Sequence, residues 1–172
     1  MIRRAALPGV LALGLLAACA TPPRPPADLA GRLAVRIEAF EGAQARSLTM
    51  QFELRGDALA GELRLSAPLG TTAAQARWQP GGAELITPEA TRSFADLDAL
   101  AQVMLGEPLP LAALIDWLRG RPWPGAPSAA TANGFDQLGW RVDLSRHDEG
   151  WVLAARERAP AVSVRARLEQ PE

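Results

Sequence analysis

Between Ser47 and Leu54 the chain reads "SLTMQFEL", with Leu48, Met50, Phe52 and Leu54 alternating with Ser47, Thr49, Gln51 and Glu53. Period two is the mark of a β-strand with one dry and one wet face. The same pattern precedes it, where Leu33, Val35 and Ile37 alternate with Arg32 and Arg36, and follows it, where Leu63 and Leu65 alternate with Glu62, Arg64 and Ser66. Ala74, Ala76 and Trp78 alternate next with Gln75, Arg77 and Gln79, and "AELIT" (Ala83 to Thr87) resumes after Pro80-Gly81-Gly82. "RGDA" (Arg55 to Ala58) has the composition of a hairpin connection. An antiparallel meander is expected over this half.

The period then changes to that of a helix, twice. In "DLDALAQVMLG", Leu97, Leu100, Ala101 and Met104 share one face, behind the N-cap candidate Asp96 and ahead of Gly106. In "PLAALIDWLRG", Leu111, Leu114, Ile115 and Leu118 do the same between Pro110 and Gly120. An N-capping aspartate, a first-turn proline and a terminal glycine are helix boundaries with known physical causes. Strands return with Trp140, Val142 and Leu144, with Trp151 and Leu153 after the turn "RHDEG", and with "VSVRARLE" (Val162 to Glu169). About eight strands and two central helices, each apolar along one stripe, predict a mainly β (α+β) fold. That fold is an open, incompletely closed antiparallel barrel with the helices across its concave face.

Composition narrows the function. Hydrophobic residues make up 48% and charged residues 22% of the 172, with 18 Lys+Arg against 19 Asp+Glu, so neither disorder nor a nucleic-acid partner is indicated. One cysteine makes no internal disulfide, and with one histidine it makes no closed zinc site. That cysteine, Cys19, follows a basic start (Arg3, Arg4) and the apolar run "AALPGVLALGLLAA", which is shorter than the ~20 residues needed to span a bilayer. Residues 1–18 read as a signal peptide.

The junction "LAAC" (Leu16 to Cys19) resembles a bacterial lipobox, in which the thiol takes a diacylglycerol, the signal is cut before the cysteine and the new amino group is acylated. Two or three acyl chains at ~0.8 kcal/mol per buried methylene make a stable anchor where one would be marginal. Ala20, not aspartate, follows the cysteine, which in bacterial lipoproteins implies the outer membrane. Residues 19–30, with "TPPRPPAD", are a proline-rich tether, and residues 31–172 form a single domain. Losing Arg3 and Arg4 moves the formal charge from −1 to −3.

The lipobox, "GRLAVR", "GELRLSAPLGTTAAQARWQPGGAELI", "LAQVMLGEPLPLAALIDWLRGRP" and "LGWRVDL" together resemble the outer-membrane lipoprotein receptor family LolB, in the same order over nearly the whole chain after Cys19. The resemblance implies an unclosed barrel whose hydrophobic cavity receives the acyl chains of lipoproteins from a periplasmic LolA-like carrier and passes them to the outer membrane. It also implies one more strand after "VSVRARLEQ" than this chain provides before Glu172. No enzyme, cofactor or metal is implied, and a monomer is expected. There is no "GxxxxGK[ST]" phosphate loop. A hydrolase would need more than the single His147, which sits in a charged turn expected to be solvated.

The candidate cavity lining is Met50, Phe52, Leu63, Leu65, Trp78, Trp140 and Val142 from strands, and Leu100, Met104, Leu114, Ile115 and Leu118 from helices. Apolar alternation alone does not separate a pocket from a packed core; the resemblance favours the pocket. Leu69, between Pro68 and Gly70 in "SAPLGTT", is a large apolar residue at a turn. On residue type alone it plugs the barrel end; by resemblance it is an exposed tip that works in membrane insertion. Trp117 is expected to pack locally, and "RGRPWPGAPS" to be a connection. A structural outer-membrane lipoprotein that docks an envelope partner is the rival function.

Overall fold

The structure, a computed structural model, describes residues 27–105 and 109–169. Cys19, most of the tether and Gly106 lie outside the described residues. Within them the chain forms one antiparallel sheet of eleven strands and two α-helices. The strands are β1 (Leu29–Ile37), β2 (Arg46–Gly56), β3 (Gly61–Ser66), β4 (Thr72–Gln79), β5 (Gly82–Ile86), β6 (Thr91–Phe94), β7 (Ser128–Thr131), β8 (Gly134–Gln137), β9 (Trp140–Asp143), β10 (Trp151–Arg156) and β11 (Val162–Leu168). The helices α1 (Leu97–Leu105) and α2 (Leu111–Leu118) lie between β6 and β7 in sequence.

Strand order is β6-β5-β4-β3-β2-β1-β11-β10-β9-β8-β7, so each half of the chain is a meander and β1 with β11 joins the two. Among the described residues the sheet does not close, because β6 and β7 have no partner on their outer sides. Both are four residues long and mostly exposed, which leaves little backbone open to edge pairing. The last strand is not an edge: β11 pairs with β1 from Gly31↔Leu168 to Ile37↔Val162, and with β10.

Three of the eleven strands, β6, β7 and β8, show no apolar alternation in the sequence; β8 does bury alternate residues, but one of its two, Gln137, is polar. Each has four residues; β7 buries none and β6 only part of Phe94, so neither has a dry face to alternate with a wet one. The long strands behave as their pattern predicts. In β4 Ala74, Ala76 and Trp78 are buried and Arg77 and Gln79 exposed, and in β2 Phe52 and Leu54 are buried while Gln51 is exposed.

The helices lie on the concave side. The backbone N–H of Ala99 donates to Asp96 Oδ1 at 2.8 Å, so Asp96 caps α1. Pro110 stands one position before α2, with its carbonyl accepting from Leu114 N–H. α2 ends as Gly120 turns left-handed (φ +73°), and Gly120 and Arg121 N–H donate to Trp117 and Asp116 carbonyls. Every residue from Ala113 to Leu118 is buried.

Candidate functional site

β1 to β4 form one wall and the two helices the other of a narrow, wholly apolar space. Leu33, Val35, Leu48, Phe52, Leu54, Leu63, Leu65, Ala74, Ala76 and Trp78 line the sheet side, and Leu97, Leu100, Ala101, Met104, Leu109, Leu111, Leu114, Ile115 and Leu118 the other. The cavity measures about 60 Å3, room for a few waters where ~10–15 Å3 holds one, and its lining offers them no partners. Trp78 contributes ring area but not its polar edge, because its Nε1–H donates to the Asp57 carbonyl at 2.8 Å, outside the cavity.

Nine of the twelve side chains expected at the cavity are on its walls: Phe52, Leu63, Leu65, Trp78, Leu100, Met104, Leu114, Ile115 and Leu118. Met50 shares the concave face of β2 with Phe52 but packs part-buried against the core without reaching the cavity. Trp140 and Val142 are 2% and 0% exposed, yet they sit on β9, in the other half of the sheet. Period two reports the face of a strand, not its distance across the sheet, and here α2 fills the intervening space. The Trp117 and Trp140 rings stand 5.9 Å apart, tilted by 52°.

A residue the sequence pattern did not mark organises that half. Gln137, 2% exposed, accepts from Trp117 Nε1–H (2.8 Å) and Trp123 N–H (2.9 Å) and donates to the Trp123 and Ala126 carbonyls (2.7 and 2.8 Å). Its amide is satisfied on all sides, and it ties α2 to the loop after it. The signal available was an amide two residues from Phe135, hence on the same face of β8, and a polar residue at that position leaves no apolar alternation to read. Trp117, 0% exposed, is packed and bonded within this network. His147 is half-buried, its ring against Gly120 and its Nε2 enclosed, so the turn His147–Glu149 is docked on the end of α2 instead of standing free in solvent.

At the end of β3 the chain turns through Ala67–Thr71, closed by Ala67 N–H to Thr71 O and Gly70 N–H to Ala67 O, each at 2.8 Å. Gly70 is left-handed at φ +86°. Pro68 and Gly70 are exposed, and Leu69 is 96% exposed. A plug would be buried; this leucine projects into water from a tightly bonded turn, where its side chain has nothing to cover.

The sequence that builds this open sheet, apolar interior and leucine turn has relatives. The family model described as "Outer membrane lipoprotein LolB" matches residues 27–167, from before β1 into β11. The chain belongs to the LolB family. It is similar to the outer-membrane lipoprotein LolB of Bordetella petrii, 36% identical with 95% of this chain and 92% of the relative covered. The LolB proteins of Bordetella pertussis (34%; 94% and 90%) and Chromobacterium violaceum (33%; 85% and 84%) match over similar spans. Membership makes the chain an outer-membrane lipoprotein with a part in lipoprotein localisation.

Proposed function

We propose that this LolB-family chain is the outer-membrane acceptor in that process. It takes acylated lipoproteins from a LolA-like periplasmic carrier into the apolar cavity and releases them into the membrane, held there by acyl groups on Cys19. No chemistry is involved. Three acyl chains of about sixteen carbons exposed to water would cost on the order of 30–40 kcal/mol at ~0.8 kcal/mol per methylene, so passage needs an apolar shelter at each stage. The observation that carries the reading is the cavity, whose lining residues are all apolar.

At about 60 Å3 the cavity is too small for an acyl chain, which requires it to widen. The two helices differ in how they are held. α2 is buried from Ala113 to Leu118 and tied to other elements by Trp117, which donates to Gln137 of β8, and by Arg119, which donates to the Gly56 carbonyl of β2. α1 presents Gln102 and Val103 to solvent, and its one side-chain cap, Asp96, is its own flanking residue. Widening therefore proceeds by displacing α1, with α2 as the fixed wall. The exposed Leu69 then favours release by entering lipid.

The test mixes the protein with an acylated lipoprotein loaded on its carrier. Stoichiometric transfer of the lipoprotein, followed by its appearance in added liposomes, supports acceptance. A folded protein that strips nothing from the carrier overturns it and leaves the structural-lipoprotein reading.

A further inference from the structure

The convex face of the sheet, opposite the cavity, carries a cluster of arginines. β1 and β11 set Arg32 directly across from Arg167, and Arg165 lies two residues along β11 on the same face, across from Ala34. All three are exposed, and among the described residues Arg32 and Arg165 make no ion pair. Like charges directly opposite each other weaken an antiparallel pair, so sheet stability does not account for the arrangement. On the next strand Trp151 faces Arg167, whose guanidinium lies 5.1 Å from the ring centre. Its indole N–H is enclosed and has no hydrogen-bond acceptor.

With Gln51, and with the small Ala34 keeping the floor low, these side chains bound a groove of about 820 Å3. Among the described residues Glu169 is the one carboxylate on its wall, and nearby Glu149 is engaged by Arg146 at 2.6 Å and also feels the charge of Arg167. The groove is thus locally cationic on a chain whose formal charge is −1. Guanidinium groups suit phosphate oxygens, which they meet through paired N–H donors. A half-buried tryptophan suits a membrane interface.

The register places the groove. Ser66, the last residue of β3 before the Leu69 turn, pairs with Gln51, Gln51 with Arg32, Arg32 with Arg167, and Arg167 with Trp151. At ~4.8 Å per strand, Arg32 and Arg167 lie about 10 and 14 Å from Ser66 in one cross-strand row, and Arg165 lies farther toward the Leu69 end. We infer that this groove binds the phosphates of anionic phospholipid headgroups, laying the convex face along the bilayer while Leu69 enters it. An acidic protein surface would satisfy the charge but not the neighbouring exposed leucine. The inference rests on the outer-membrane setting of the family and not on cargo uptake, which its test leaves out.

The mature chain carrying Cys19→Ala, exported behind a cleavable signal and checked for fold by circular dichroism and melting, is mixed with vesicles. One set is phosphatidylcholine alone and the other contains phosphatidylglycerol as well; the bound fraction is read by sedimentation. Phosphatidylglycerol should raise binding in a salt-sensitive manner. Arg32→Gln, Arg165→Gln and Arg167→Gln should each reduce it about fivefold, and the three together on the order of a hundredfold. Arg77→Gln with Arg141→Gln, exposed and ion-paired elsewhere, should leave it within twofold. Glu169→Gln should strengthen it, which keeps the test decisive if the triple variant misfolds. Binding indifferent to phosphatidylglycerol, a folded triple variant that binds like the parent, or an equal loss in the control pair overturns the inference.

Discussion

Gln137→Leu replaces an amide by an apolar side chain of similar volume, so packing changes little while four hydrogen bonds are lost. The costliest orphan is Trp117 Nε1–H, since Trp117 is 0% exposed and water has no path to it; a buried unsatisfied donor costs ~1–3 kcal/mol. The Trp123 and Ala126 backbone groups lie in a part-buried loop where water replaces Gln137 at smaller cost. The expected loss is about 2–4 kcal/mol, which for a domain of this size lowers the melting temperature by about 5–15 °C. Circular dichroism melting measures it. Trp117→Phe removes the stranded donor in advance, so Gln137→Leu should cost at least ~1 kcal/mol less in that background, the coupling expected of groups in direct contact. A loss below ~0.5 kcal/mol, or strict additivity of the two changes, would refute the claim that Gln137 fixes α2.

Three further outcomes are expected. Cys19→Ala with a cleavable signal should yield a soluble periplasmic protein with the circular dichroism and melting of the detergent-solubilised parent; a variant wholly in membranes would contradict the anchor. An environment-sensitive fatty-acid probe should bind at about one per chain. Met104→Trp should fill the cavity and weaken that binding at a stability cost of ~1–3 kcal/mol. Leu69→Glu should leave melting within ~0.5 kcal/mol of the parent and uptake intact, because the side chain is 96% exposed, while impairing cargo insertion into liposomes more than tenfold. That magnitude corresponds to the ~1.5–3 kcal/mol of one leucine entering lipid, and wild-type insertion would remove any role for the turn.

The long strands and α1 are legible in the sequence because each buries one face, and α2 because its leucines and isoleucine recur at helical spacing although Ala113 to Leu118 are all buried. β2, β4, β10 and β11 contribute alternating side chains to a continuous core, and α1 and α2 contribute stripes at helical spacing, so local pattern and tertiary burial report the same fact. Asp96 and Gly120 mark helix ends for reasons that operate within a few residues. β6 and β7 bury almost nothing and leave no pattern to read. The Leu69 turn was legible as a turn, but whether its leucine points in or out depends on whether the tertiary structure packs anything against it, and at 96% exposed it is uncovered.

What remained for the tertiary structure was distance across the sheet. Phe52 and Val142 carry the same strand signature, yet Phe52 faces the cavity and Val142 lies under α2, because strand order, not periodicity, decides which half of the concave face a helix fills. The Gln137 network and the Arg32–Arg167 apposition are of the same kind, joining residues 20 and 135 positions apart that no local pattern relates. The amino-acid pattern by itself determined faces, periods and ends, since these are set by backbone geometry and burial over a few residues. Pairing between distant strands, the openness of the sheet and the narrowness of its cavity were decided only by the pairing of β1 with β11 and the packing of the helices on the sheet, because those quantities arise from long-range register and packing.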